Sequence, residues 1–258
     1  MNRDDLPLVA FTLLVQLALG AVALAAMAPL RVPGAAGLVI TLLGVAAAAL
    51  VVASACSLLH LGVKAGALRA LRNLRTSWLS REVLFTGLFT ALTLAAAAGA
   101  LARLPVADFL WLVTLTGFAA VFTMSRLYQE TIHPAWTTLY TPVSFFAAAL
   151  TLGAALGAPL VQTSGALAPG AAALLLRDIV LTGAAGVTAG LAATAVYAGD
   201  LQEGHLPLAA RLLLTLGGLG LLTAGWYGPL PWLTPAGSFL LAAGELFGRV
   251  RFFAQGAA

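Results

Sequence analysis

Cysteine is nearly absent from this 258-residue chain. Cys56 stands alone, so no disulfide forms within the chain, and no thiolate set exists to hold an iron-sulfur cluster or a structural zinc. Placed inside an apolar run, Cys56 reads as a small buried apolar residue.

Charge is the second scarcity. Only 9% of residues are charged and 61% are hydrophobic, against about 25% charged in soluble domains, which excludes a soluble fold. The apolar-polar alternation of outer-membrane barrel strands is also missing, because the apolar runs are continuous and rich in Ala and Leu. The N-terminus offsets Arg3 with Asp4 and Asp5 and so lacks the basic region of a secretory leader. Although Ala25-Ala26-Met27-Ala28 has the small residues of a cleavage site, the segment reads as a first membrane helix. No repeat relates the two halves, as it would in an inverted-repeat transporter. The net charge of +4 comes from scattered cations beside apolar runs rather than from a basic face, so nucleic acid is not implied.

What is present is a succession of apolar segments of about 20 residues, each long enough to cross a ~30 Å hydrocarbon core. The expected fold is all-α, a polytopic bundle of about eight transmembrane helices forming a single domain over 1–258. The spans read as 6–30, 37–61, 82–101, 106–124, 142–161, 175–197, 206–225 and 232–253. Ser80 reads as cap of the third helix, and Thr141-Pro142 as cap and first residue of the fifth. The breaks Arg31-Val32-Pro33-Gly34 and Gly228-Pro229-Leu230-Pro231 resist helix continuation.

With eight crossings, one side collects Arg3, Lys64, Arg69, Arg72, Arg75, Arg81, Arg126, Arg211, Arg249 and Arg251, and the other has Arg31, Arg103 and Arg177. By the positive-inside rule the richer side, with both termini, faces the cytoplasm. Its second loop interleaves Leu68, Leu71 and Leu74 with Arg69, Arg72 and Arg75, an amphipathic pattern suited to lying on the membrane surface. Lys64, Arg69, Arg72 and Arg75 form either orientation signals or a docking surface for a soluble partner.

Ionisable residues within membrane helices are functional candidates by default. His60 ends the second span, Glu82 opens the third, Arg126 ends the fourth, and Glu245 lies in the eighth, four residues before Arg249; all fall towards one face. Plainer roles exist for each: Glu82 as complement to a helix dipole, Glu245 with Arg249 as an i,i+4 pair, and His60 as an imidazole bonded to a carbonyl. Their convergence favours a shared site. Oxidising a quinol releases two electrons and two protons, and an imidazole and a carboxylate at the edge of an apolar pocket are suitable acceptors. A bis-histidine haem is disfavoured, because His133 and His205 fall in loops.

From Ser57-Leu58-Leu59-His60-Leu61-Gly62 through the basic loop to Trp78-Leu79-Ser80-Arg81-Glu82, the chain resembles the membrane anchor subunit of the bacterial dimethyl sulfoxide reductase family. Further matches lie at Leu6-Pro7-Leu8 with Phe11-Thr12 and Gln16, then at Arg126-Leu127-Tyr128, Pro134-Ala135-Trp136, Thr141-Pro142, Ser144-Phe145-Phe146 and Ala243-Gly244-Glu245-Leu246-Phe247-Gly248-Arg249. The resemblance implies an anchor that binds and oxidises menaquinol without haem. Electrons would pass to a four-cluster iron-sulfur subunit and then to a molybdopterin catalytic subunit, the partners holding those cofactors. It further implies quinol contacts at His60 and Glu82, with Arg126, Glu245 and Arg249 at related positions, and a home in a bacterial or archaeal cytoplasmic membrane. A small-solute or ion transporter and a purely structural tether are the alternatives.

Overall fold

The computed structural model describes residues 6–60, 73–131, 133–165, 167–197 and 205–256. Among them run eight long helices: α1 (Leu6–Arg31), α2 (Ala36–His60), α3 (Trp78–Leu101), α4 (Ala107–Gln129), α5 (Tyr140–Thr163), α6 (Pro169–Val196), α7 (His205–Tyr227) and α8 (Leu233–Gly256). A 3-10 turn, Pro134–Trp136, precedes α5. Seven of these helices are long and apolar enough to cross a membrane, and the chain is a polytopic, all-α membrane protein. The remaining one, α8, carries Glu245, Arg249 and Arg251, which lower its hydropathy. It nevertheless pairs with α7 along its length, from Gly225 against Thr234 to Gly248 against Arg211.

Without water in the hydrocarbon, every backbone N–H and C=O must find its partner within the chain, and a helix does this locally. Side chains then choose between neighbours and lipid. Leu213 is 75% exposed and Phe239 73%, an arrangement that only a hydrocarbon solvent stabilises.

Consecutive helices form the hairpins α1–α2, α3–α4, α5–α6 and α7–α8, while α1 and α5 cross at the centre and touch most of the others. Small residues permit that crossing: a Cβ added to Gly153 would meet the Gly20 Cα at 2.8 Å. Close approach of this kind replaces the missing hydrophobic drive between helices in lipid. Gly34, at φ +85°, turns the chain between α1 and α2. At that end of the bundle Arg31 Nε reaches Asp178 Oδ2 of α6 at 2.8 Å.

Several sequence expectations shift. The third helix starts at Trp78, and its cap is Ser77, whose hydroxyl accepts from the Ser80 N–H at 3.3 Å, so Ser80 is helical. The fifth begins at Tyr140 without a side-chain cap. Thr141 instead donates its hydroxyl to the Trp136 carbonyl at 2.7 Å, tying the helix to the preceding turn. His205 opens α7 rather than lying in a loop. Lys64, Arg69 and Arg72, with the amphipathic stretch around them, lie outside the described residues.

Candidate functional site at one pole of the bundle

Because the helices alternate in direction, α1 begins and α8 ends at the same pole. The end of α2, the start of α3, the end of α4 and the starts of α5 and α7 lie there too. This places Glu82, Arg126, Arg249 and the helix end that carries His60 towards one pole, while Glu245 lies near the middle of α8. The helix carrying His60 terminates there; its side chain lies outside the described residues.

Glu82 sits one turn inside α3. The loop before it is held by Arg81, which donates from Nε to the Leu74 carbonyl at 2.9 Å and from Nη2 to the Arg75 carbonyl at 2.7 Å. Only 5% of Glu82 is exposed, and its Oε1 has no hydrogen-bond partner in the protein. Leaving such an oxygen unpaired costs about 1–3 kcal/mol or more.

Tyr128, near the end of α4, lies within electrostatic reach of both Glu82 and Arg249. Its ring is fixed by Trp136, Phe145, Phe252 and Phe253, with centroids 5.3–5.7 Å away. This aromatic box is anchored by the Trp136 Nε1–H, which donates to the Phe252 carbonyl at 2.9 Å.

Deeper in the bundle, Arg249 donates from Nη2 to Gln16 Oε1 of α1 at 3.0 Å. Its guanidinium lies over the Phe145 ring, 3.7 Å from the centroid. Its Nε and Nη1 are buried without a protein partner. Arg249 is 4% exposed and Arg211 5%. Arg211 reaches from α7 to the Thr194 hydroxyl at 2.8 Å and the Tyr140 hydroxyl at 3.3 Å. Its guanidinium fits against Gly248, where a Cβ would approach Arg211 Nε to 2.9 Å. Glu245, also 5% exposed, interacts with both guanidiniums and with the Thr151 hydroxyl. Three charged groups from two helices thus neutralise one another in part, inside a medium that makes an isolated ion costly.

A small cavity of about 10 Å³ is bounded by Tyr140, Ser144, Arg211, Glu245, Gly248, Arg249 and Phe252, which is room for about one water. A second, open cavity of about 500 Å³ lies at the opposite pole, between the α1–α2 and α3–α4 turns. Its wall is mostly apolar, with Arg103 as its one charged residue, so it offers no proton acceptor.

Arg126 separates from the interior group. Its Nη1 donates to Gln129 Oε1 and its Nη2 to Glu130 Oε1, both at 3.0 Å, and its guanidinium lies 5.2 Å from the Trp78 ring centre. Arg81 lies over the same ring at 4.2 Å. This half-exposed arrangement of two cations on one Trp belongs to the rim of the pole. Arg75 is exposed beside it.

Sequence reasoning passed over Arg211 as an orientation charge and did not single out Tyr128, Tyr140 or Gln16 as interior groups. A cation seven residues into an apolar helix was the signal available for Arg211. Gln16 stood among the residues of the resemblance but with no role attached, and nothing local marked Tyr140; the roles of both depend on which helices cross.

No curated protein matches the chain. A family model described as DMSO reductase anchor subunit (DmsC) matches residues 1–198, taking in Gln16, Glu82, Arg126, Tyr128 and Tyr140, while α7 and α8 fall outside the matched part. That match covers most of the length and every helix from α1 to α6: the chain belongs to the DMSO reductase anchor subunit family and is a membrane anchor subunit of DMSO reductase-type complexes.

Proposed function

We propose that this anchor binds a menaquinol at the Glu82 pole and oxidises it. Electrons pass to a four-cluster iron-sulfur partner and on to a molybdopterin catalytic subunit, in a bacterial or archaeal cytoplasmic membrane. The observation that carries the reading is Glu82: a carboxyl buried one turn below the pole, with an oxygen that no protein group satisfies. A quinol hydroxyl is a donor of the right kind for that oxygen, and accepting its proton is general-base chemistry.

His60 ends α2, which packs against α3, and is assigned the second hydroxyl. Arg249 acts on Tyr128, and Glu245 is held behind it by Arg211 and Arg249. Lys64, Arg69, Arg72 and Arg75 are assigned to docking of the soluble partner, and Arg126 lies at the rim. The anchor itself contributes no haem and no metal; the iron-sulfur and molybdopterin groups are the partners'.

The test is the assembled complex carrying His60→Ala. Quinol-driven turnover is expected to fall at least tenfold while turnover driven by a soluble dye that reduces the partner subunits directly is kept. Normal quinol-driven turnover would remove His60 from the site. A purely structural tether predicts, in addition, no bound quinone and no sensitivity to quinone-site inhibitors in the wild-type complex.

A further inference from the structure

The open cavity of about 500 Å³ lies at the pole opposite Glu82, away from the proposed quinol site. Its floor is apolar, formed by Val32, Val39, Ala100 and Leu110, and its one charged residue is Arg103, in the turn between α3 and α4. Leu30, Leu101 and Leu104 beside it are 60–71% exposed. Leucines so bare belong in hydrocarbon, so the cavity opens within the bilayer's edge rather than to bulk water. An apolar cleft there is suited to an apolar chain.

Arg103 holds a conformation that favours glycine. Its φ is +60°, the left-handed position that closes a Schellman turn. Its N–H donates to the Ala100 carbonyl at 3.0 Å, and the Leu104 N–H donates to the Gly99 carbonyl at 2.9 Å. Any Cβ is crowded at such a position, so the arginine destabilises the turn it occupies. Its guanidinium returns nothing within the protein: among the described residues it has no hydrogen-bond or ion-pair partner. The two other arginines of this pole, Arg31 and Arg177, both sit on Asp178, at 2.8 and 3.2 Å. Helix α4 also begins in the cavity wall, at Ala107, without a side-chain cap, and the positive end of its dipole adds to the cation. Asp108, in the same turn, is not part of the wall.

We propose that this cavity binds one anionic phospholipid. An acyl chain fills the cleft between the α1–α2 and α3–α4 turns, and the headgroup phosphate pairs with Arg103. A phosphate accepts two parallel hydrogen bonds from a guanidinium and so supplies the partner that the protein does not. The lipid then fills the gap between two hairpins at the end of the bundle away from the quinol site, and the charge at Arg103 accounts for a side chain where glycine would be less strained.

The test uses the assembled complex, stripped of lipid in detergent and titrated with phosphatidylglycerol or with phosphatidylcholine of the same acyl chains, the bound lipids being counted by native mass spectrometry. Wild type should retain one phosphatidylglycerol more than Arg103→Gly, and should prefer it at least fivefold over phosphatidylcholine at that site. Arg177→Gln, which removes a charge from the same pole but outside the cavity, should keep the wild-type count. Ala36→Trp, which puts a large ring on the cavity wall, should lose the lipid with Arg103 intact. Because glycine suits the left-handed turn, Arg103→Gly should also raise the thermal midpoint of the lipid-free complex, which separates loss of lipid from loss of fold. Equal retention by wild type and Arg103→Gly would overturn the site, as would undiminished retention by Ala36→Trp. Displacement of the lipid by inorganic phosphate alone, or by a menaquinone analogue, would also overturn it, by giving the cavity to another ligand.

Discussion

Arg249 brings its charge into the membrane by three means at once: the Gln16 amide oxygen at 3.0 Å, the face of Phe145 at 3.7 Å, and the nearby Glu245. The Gln16 bond joins α8 to α1 across the bundle. Gln16→Leu deletes that acceptor and leaves the guanidinium with one bond fewer, so the protein should lose about 1–2 kcal/mol of stability, read as a lower midpoint in thermal unfolding in detergent. An unchanged midpoint would mean that the aromatic face and Glu245 suffice to hold the cation. Glu82, Glu245 and Arg249 were legible in the sequence because a charge inside an apolar run is conspicuous. Whether it turns inward or sideways was not legible, since that depends on which neighbour crosses at that depth. Arg126 shows the difference: of the same residue type and near the same pole as Arg249, it is occupied at the surface by Glu130 and Gln129.

At the scale of elements, the bundle is organised by where two backbones approach. Gly20 and Gly153 let α1 and α5 cross with no side chain between them. Gly153→Leu should therefore push the central pair apart and cut the yield of monodisperse protein severalfold in size-exclusion chromatography, overpacking costing about 1–3 kcal/mol or more. Gly44→Ala is the control: a Cβ there has nothing within 4 Å and should leave the profile unchanged. The spans were readable from hydropathy to within a few residues at most ends, because the bilayer fixes the length of an apolar helix. Starts were less readable. Ser80 and Thr141 are good capping types, yet Ser77 caps α3, and the Thr141 hydroxyl serves the 3-10 turn at Trp136. Capping competes with other uses of a hydroxyl, and the outcome depends on the turn before the helix.

For the whole molecule, the polar interior lies at the pole where α1 begins, and the larger cavity, apolar and without an acid-base pair, lies at the other. That asymmetry fits an anchor that works from one end. Exposed Arg75, with Lys64, Arg69 and Arg72 of the same loop, is proposed as the docking charge. Reversing all four to Glu should abolish co-purification of the partner subunits while the anchor still inserts in the membrane, and raising salt should weaken the wild-type association. Co-purification unaffected by the reversal would reduce those cations to orientation signals.

The most direct measurement is the single-turnover reduction of the partner's iron-sulfur clusters by a menaquinol analogue, in assembled complexes with Glu82 intact and with Glu82→Gln. Removal of the proton acceptor should slow cluster reduction by at least tenfold, with reduction by a soluble dye unchanged. Equal rates with the two anchors would contradict the assignment of the buried carboxyl as the group that receives the quinol's proton.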